Sequence, residues 1–149
     1  MIYVVSNALI YLLHNVRPQS DHVENILVQE SRVYTSLRTI EETSYILVRI
    51  KATQLFSVKG IYQIKKVIEE HGLKFAKDEL TKLREMIQDF GITVLSDKAD
   101  AEELHETMAK YKLLPGDAII ALTCKHYGIN TILTFDEDFK RIPWLKVIP

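Results

Sequence analysis

Short apolar runs alternate along the chain with longer segments in which apolar residues recur at helical spacing. The runs are rich in β-branched and aromatic side chains, which is typical of strands that are buried on both faces. They lie at residues 2–5, 32–36, 92–95, 131–135 and 144–148. Strands that alternate with helices, with no hairpin signal between them, form parallel sheets covered by helices. The pattern therefore predicts an α/β fold, a three-layer α/β/α sandwich with a central parallel sheet of about five strands.

The segments between the strands predict helices whose ends follow from N-cap residues and from glycine. Ser6 and Asn7 are good N-cap residues for the first helix, and Gly72 and Gly91 end two middle helices. Asp117 is expected to cap the last helix. The predicted helices are ALIYLLHN, Asp21 to about Glu30, Thr39 to about Gln54, Ser57 to His71, about Phe75 to Phe90, the stretch led by Asp97, and DAIIALTCKHY.

The composition is that of an ordinary globular protein, with 47% hydrophobic and 26% charged residues, and 149 residues suit a single domain over residues 1–149. The net charge of −1 gives no overall basic surface, so nucleic-acid binding would depend on local patches. Cys124 is the only cysteine, which excludes an internal disulfide and a cysteine-rich zinc site. We find no signal peptide and no apolar run that could span a bilayer, so we expect a cytoplasmic protein with no membrane partner.

Carboxylates cluster where the predicted strands end. Asp136 and Asp138 follow the fourth strand, Asp117 heads the helix that precedes that strand, and Glu42 sits in the first turn of the helix after the second strand. Ligands of open parallel sheets bind beyond the carboxyl ends of the strands, where these acids are expected to meet. Carboxylate oxygens suit Mg²⁺ or Mn²⁺, and the scattered histidines make zinc a poor match.

Each acid also has a purely structural interpretation. Asp117 could serve only as a helix cap, and Thr39 and Glu42 have the spacing of a capping box. The acids of DEDF could form the first turn of a helix, where the macrodipole favours negative charge. Only the combination of all four favours a metal site.

Three segments resemble the PIN domain family. LLPGDAIIALTCKHYGINTILTFDEDFKRIPWLKVI resembles the C-terminal half of a PIN domain, YVVSNALIYLL resembles the first strand and helix, and YTSLRTIEETSYIL resembles the segment that carries a helical glutamate. The resemblance covers nearly the whole chain. It implies a compact α/β/α fold and a Mg²⁺- or Mn²⁺-dependent ribonuclease of the VapC toxin type. It also implies an RNA substrate, an antitoxin protein as partner and a homodimer.

The resemblance, carried over residue by residue, makes Glu42, Asp117 and Asp136 the catalytic and metal-binding acids, with Asp138 as a fourth member. Asn7 and Thr134 match supporting polar positions, and Ser6 lies beside Asn7.

Basic residues near the acids in sequence are candidates for RNA contacts. Arg38 lies four residues before Glu42, and Lys51 lies further along the same helix. Such side chains can hold the phosphates that flank a cleavage site. The alternative is that both residues belong to solvated helix faces.

One position departs from the family pattern. The residue immediately before SNALI is an aspartate in the family, whereas this chain has Val5. Valine cannot coordinate a cation, so we expect impaired activity that Val5→Asp restores. The alternative is a catalytically degenerate PIN domain that acts as an RNA-binding or protein-assembly module. A phosphoacceptor receiver or a haloacid-dehalogenase-like phosphatase is disfavoured, because those proteins place their key aspartate at the end of an early strand.

Overall fold

The central sheet has five parallel strands in the order β3-β2-β1-β4-β5. The computed structural model describes all residues, 1–149. The strands are β1 (Ile2–Val4), β2 (Val33–Ser36), β3 (Thr93–Leu95), β4 (Thr131–Leu133) and β5 (Lys146–Ile148). Every predicted strand is present, so the predicted parallel α/β fold is confirmed.

Seven helices and two short 3₁₀ helices flank the sheet. The α-helices are α1 (Ser6–Leu13), α2 (Gln19–Gln29), α3 (Leu37–Phe56), α4 (Ile61–His71), α5 (Lys77–Asp89), α6 (Ala101–Tyr111) and α7 (Pro115–His126). The 3₁₀ helices are Lys74–Ala76 and Glu137–Arg141. None of the helices is long and apolar enough to cross a membrane.

Two separate apolar clusters, one on each face of the sheet, produce the three layers. Successive side chains of a strand point to opposite faces. Accordingly, Tyr3 packs in a cluster with residues of α7, whereas Ile2 and Val4 pack in a cluster with residues of α1 and α2. All three side chains are fully buried. The uniformly apolar start of the chain therefore forms a central strand that is covered on both faces.

The strand register brings the carboxyl ends of β1, β2 and β4 to one edge of the sheet. Val4 pairs with Leu133 of β4, and Tyr3 pairs with Tyr34 of β2. The chain enters α1 and α3 almost directly after β1 and β2, and it enters the DEDF segment after β4. The residues that follow these strands must therefore lie close together.

The predicted starts of α3 and α7, the helices that carry Glu42 and Asp117, were wrong. α3 begins at Leu37 instead of Thr39, which moves Glu42 into the second turn. The Thr39 side chain is buried and hydrogen bonds with the Tyr3 hydroxyl, so it forms no capping box with Glu42. α7 begins at Pro115, and the Asp117 side chain accepts no capping hydrogen bond. Neither Glu42 nor Asp117 is therefore explained by helix capping.

The predicted starts of α6 and α4 were also wrong, for local reasons. α6 is capped by Asp100, which forms a capping box with Glu103, so Asp97 does not lead this helix. Ser57 has a left-handed conformation at the end of α3 instead of capping α4. The N-cap position of α1 is Val5, which leaves the Ser6 side chain free for another contact.

Candidate metal centre

A cleft of about 340 Å³ opens at the carboxyl edge of the sheet, beside β1 and β4. The strand order reverses between these strands, since β2 and β3 lie on one side of β1 and β4 and β5 lie on the other. Such a reversal is the usual ligand position in open α/β sheets. The polar lining of the cleft consists of Ser6, Asn7, Glu42, Asp117, Thr134 and Asp136.

Three carboxylates form a close cluster at this cleft. One carboxylate oxygen from each of Asp117, Asp136 and Asp138 lies within 4.8 Å of those of the other two. Asp117 comes from the first turn of α7, and the other two come from the segment after β4. The three acids are half-buried and provide only hard oxygen ligands, so the donor set fits a hard divalent cation better than a thiophilic metal.

The environment of Asp117 raises the pKa of its carboxyl group from 3.8 to about 6. Burial is the largest cause, because it disfavours the charged form. The charges of Asp136, Glu42 and Asp138 raise the pKa further, and the Arg38 guanidinium lowers it. Asp117 therefore pays an electrostatic cost in the free protein that a bound divalent cation would relieve.

Hydrogen bonds fix the segment that carries Asp136. The Asp136 amide donates to the Thr134 hydroxyl at 3.0 Å, and the Asp138 amide donates to Asp136 Oδ1 at 2.9 Å. Asn7 Oδ1 accepts a hydrogen bond from the Phe135 backbone amide at 3.3 Å, and Asn7 Nδ2 donates one to Thr134 Oγ1 at 3.5 Å. Asn7 and Thr134 are uncharged, and their hydrogen bonds hold the segment that carries Asp136 in place.

Glu42 lies in the same cleft but outside the close cluster of three. Its Oε2 atom accepts a hydrogen bond from the Ser6 hydroxyl at 3.0 Å. This contact joins the start of α1 to the second turn of α3. The structure therefore brings all four predicted acids to one edge, with Glu42 held beside the cluster by Ser6.

Val5 lines the cleft at the end of β1. Its side chain is only 4% exposed and packs in the apolar cluster that contains Ile120 and Phe139. The backbone N–H of Val5 donates to the Leu133 carbonyl at 3.3 Å, which continues the pairing of β1 with β4. Val5 thus occupies a buried position at the acids without offering a ligand atom.

The two basic candidates lie in different places. The Arg38 guanidinium lies against Gly116, next to Asp117, and forms an ion pair with Glu41. Lys51 instead pairs with Glu79 of α5 at 3.5 Å. It lies nine residues after Glu42 on α3, which corresponds to roughly 14 Å along the helix. The structure therefore places Arg38 at the acids and directs Lys51 away from them.

Asp97 is a structural residue of the site that the sequence pattern did not predict. Its carboxylate accepts the backbone N–H of Arg38 at 2.8 Å and the Ser36 hydroxyl at 2.5 Å. Thr123 of α7 donates to the same carboxylate at 3.5 Å. Asp97 therefore ties together the helices that carry Glu42 and Asp117. Its position after β3, at the same sheet edge as the other acids, was the available signal.

Asp97→Ala should lower the free energy of unfolding by about 2–3 kcal/mol, because it leaves the Arg38 amide without its acceptor and removes one hydrogen-bond partner of the Ser36 hydroxyl. Asp97→Asn retains one carbonyl oxygen and should cost less. Asp89→Ala, at an exposed position, should stay within about 0.5 kcal/mol of the wild type. Urea unfolding of the three variants measures the difference, and equal stability of Asp97→Ala and Asp89→Ala would contradict the structural role.

Comparison with known proteins agrees with this geometry. The PIN domain family model matches residues 2–145. Ribonuclease VapC2 of Methanocaldococcus jannaschii is 32% identical over 147 residues, which cover 99% of this chain and 92% of that protein.

Solved structures show the same fold. Mycobacterium tuberculosis VapC20, described as a toxin that cleaves the sarcin-ricin loop, superimposes with a TM-score of 0.66 and 16% identity over the whole of both chains. VapBC2 from Rickettsia felis, bound to a promoter DNA fragment, matches with a TM-score of 0.62 and 17% identity over 99% of this chain and 98% of the other. With the family model spanning nearly all of the sequence, the chain belongs to the PIN domain family and is homologous to the VapC ribonucleases.

Proposed function

We propose that this protein is a metal-dependent endoribonuclease of the VapC toxin type, which hydrolyses RNA phosphodiester bonds with Mg²⁺ or Mn²⁺. The observation that carries the proposal is the convergence of Asp117, Asp136 and Asp138 within 4.8 Å of one another at the sheet edge. The proposed metal and catalytic residues are these three acids and Glu42. The names of the homologous ribonucleases support the reaction class.

A divalent ion held by these oxygens would supply an acidified water as nucleophile and neutralise charge on the scissile phosphate. The contribution of the protein is a preformed set of anionic ligands. Ser6 orients the Glu42 carboxylate through its hydroxyl, and Thr134 holds the backbone of Asp136. The Asp138 amide donates to Asp136 Oδ1, which fixes the orientation of the Asp136 carboxylate.

The function is tested by incubating an end-labelled single-stranded RNA with the protein in Mn²⁺ and, separately, in EDTA. We expect weak cleavage by the wild type in Mn²⁺, strong cleavage by Val5→Asp and none in EDTA. Cleavage that persists in EDTA, or its absence from both proteins in Mn²⁺, would reject the proposal.

Mn²⁺ affinity should fall as the pH drops below about 6. The pKa of Asp117 is raised to about 6, so below that pH the group carries a proton that must leave before the oxygen can bind a cation. Calorimetric titrations with Mn²⁺ between pH 7.5 and pH 5 should show a loss approaching tenfold per pH unit below the pKa. The inflection should be absent from Asp117→Asn. An affinity that stays constant over this range would contradict the assignment of Asp117 as a ligand.

We also propose an antitoxin protein as partner, a homodimeric state and a cytoplasmic location, where RNA substrates occur. The similarity to VapBC2, which was solved bound to a DNA fragment from its promoter, supports the first of these. Exposed apolar side chains provide surface for protein contacts, since such groups mark interaction sites when they cluster. They include Leu55, Ile61, Tyr62 and Leu73, on and around α4.

Val5 favours a second candidate function, that of a degenerate PIN domain which binds RNA or assembles with proteins without cutting. The side chain stands in the cleft where it offers no ligand. Saturable Mn²⁺ binding that Asp136→Asn abolishes would favour the nuclease, whereas absence of Mn²⁺ binding by the wild type would favour the degenerate module.

A further inference from the structure

We infer that Arg38, seated over Gly116, binds a phosphate group of the RNA strand that enters the acidic cleft. The inference deepens the proposed nuclease function and depends on it. An RNA strand is a polyanion, and it must approach a site made of carboxylates.

The Arg38 guanidinium group can lie against the start of α7 because residue 116 has no side chain. A Cβ atom built on Gly116 would lie 2.8 Å from the guanidinium carbon of Arg38 and closer still to two of its nitrogens. Gly116 has no positive φ, so its backbone does not require glycine. What the glycine provides is room for the guanidinium group at the start of α7.

Helix electrostatics do not explain a cation at this place. Arg38 is the second residue of α3, and its guanidinium lies against the first turn of α7. Both helix ends carry partial positive charge, which disfavours a cation. The compensating charges are Glu41, which forms the ion pair, and Asp117. Arg38 is therefore a fixed positive group at the border of the acidic cluster.

The guanidinium retains binding capacity. Among its nitrogens, only Nη1 donates to a protein acceptor, the Glu41 carboxylate. The side chain is 28% exposed, so part of it is open to solvent at the border of the cleft. A guanidinium fork matches two oxygens of a phosphate group. The carboxylates nearby would repel an RNA backbone, and Arg38 is the one positive group among the charges that act on Asp117.

The test measures RNA binding and metal binding separately. Fluorescence anisotropy of a labelled single-stranded RNA, recorded in Ca²⁺ in place of Mn²⁺ so that the strand stays intact, over a range of salt concentrations, reports phosphate contacts. Arg38→Gln should weaken RNA binding roughly 10- to 100-fold and lower the salt slope by about 0.7–1. Calorimetric Mn²⁺ affinity without RNA should be unchanged or tighter, because a cation beside the ligands has been removed.

Gly116→Ala provides an independent test that leaves Arg38 in place. The added Cβ should displace the guanidinium and weaken RNA binding in the same direction. Alanine has the higher helix propensity, so the thermal midpoint should be unchanged or higher. Arg49→Gln is the matched control, since it removes the same charge from an exposed position of α3. It should change RNA affinity by no more than about twofold.

The outcomes separate this inference from the proposed function. If Arg38→Gln binds RNA as Arg49→Gln does, the role of Arg38 is rejected even when Mn²⁺ binds normally. If Gly116→Ala binds RNA as tightly as the wild type does, the position of the Arg38 guanidinium over Gly116 has no role in RNA binding. Absence of Mn²⁺ binding by the wild type would instead reject the proposed nuclease, and the RNA titrations would still report whether Arg38 contacts phosphate.

Discussion

Val5→Asp should increase Mn²⁺-dependent RNA cleavage by more than about 100-fold. Loss of groups that merely orient metal ligands typically costs 10–100-fold, and a directly binding anion contributes more than such a group. Val5 lines the cleft beside Asp117 and Asp136 at the end of β1. An aspartate there would add a carboxylate from a fourth chain segment. The measurement is the initial rate of cleavage of an end-labelled RNA by both proteins.

The same substitution should destabilise the metal-free protein by about 2–4 kcal/mol, because it buries a charge at a position that is 4% exposed and already surrounded by acids. Mn²⁺ should return much of this stability, since a ligand present at a hundred times its Kd stabilises by about 2.7 kcal/mol. A larger Mn²⁺-induced rise of the thermal midpoint in Val5→Asp than in the wild type would show direct binding.

Val5→Asn is the matched control, because asparagine has nearly the same shape without the negative charge. It should share part of the instability without the large gain in cleavage or in Mn²⁺ stabilisation. If Val5→Asp folds, binds Mn²⁺ no more tightly than the wild type and cleaves no faster, then residue 5 does not complete the metal site.

The sheet and the meeting of the acids were predictable because both follow from periodicity and topology. The alternation of strands and helices determines a parallel sheet, and a parallel sheet brings its strand exits to one edge. Asp136 and Asp117 therefore had to approach each other once β4 was recognised. The prediction that Asn7 and Thr134 support the acids needed the family resemblance, because neither residue carries a local signal of its contact with the DEDF segment.

The errors arose where a distant residue replaced a local interaction. Thr39 has the spacing of a cap for Glu42, but its hydroxyl bonds with Tyr3 of β1 and the helix starts two residues earlier. The start of α3 instead receives its capping carboxylate from Asp97, which is 59 residues further along the chain. The raised pKa of Asp117 is likewise a product of tertiary distances. Sequence spacing cannot provide these partners.

The acidic residues at the cleft lower the stability of the metal-free protein. Half-buried carboxylates within 4.8 Å of one another oppose folding of the metal-free chain when they are ionised. The apolar Val5 at the same edge avoids a further buried charge. A site that needs a cation for balance should therefore lose function and gain stability when one of its acids is neutralised.

Asp117→Asn should accordingly abolish the Mn²⁺ response and stabilise the metal-free fold at neutral pH. The pKa of Asp117 is raised from 3.8 to about 6, so its contribution to stability is complete below pH 3.8 and is lost as the pH rises through 6. Without solvent screening, this rise in the pKa of Asp117 would correspond to about 3 kcal/mol of the free energy of unfolding. Solvent screens a half-exposed group, so we expect a gain on the order of 1 kcal/mol at pH 7.5.

The stabilisation should be much smaller at pH 4 and should vanish below about pH 3, where the wild-type aspartate is neutral in both the folded and unfolded states. In the Val5→Asp background, Asp117→Asn should reduce cleavage by at least about 100-fold, because a direct ligand is removed. The Asp117 side chain accepts no capping bond, so the substitution should leave α7 intact.

Glu137→Gln is the control, since that acid is 76% exposed and paired with Lys140, and it should alter neither property. Urea unfolding at pH 7.5 and pH 4 measures the stability difference. A destabilised Asp117→Asn variant at pH 7.5, or one that keeps its Mn²⁺-induced shift in thermal midpoint, would mean that the acidic cluster is not an electrostatically strained metal site.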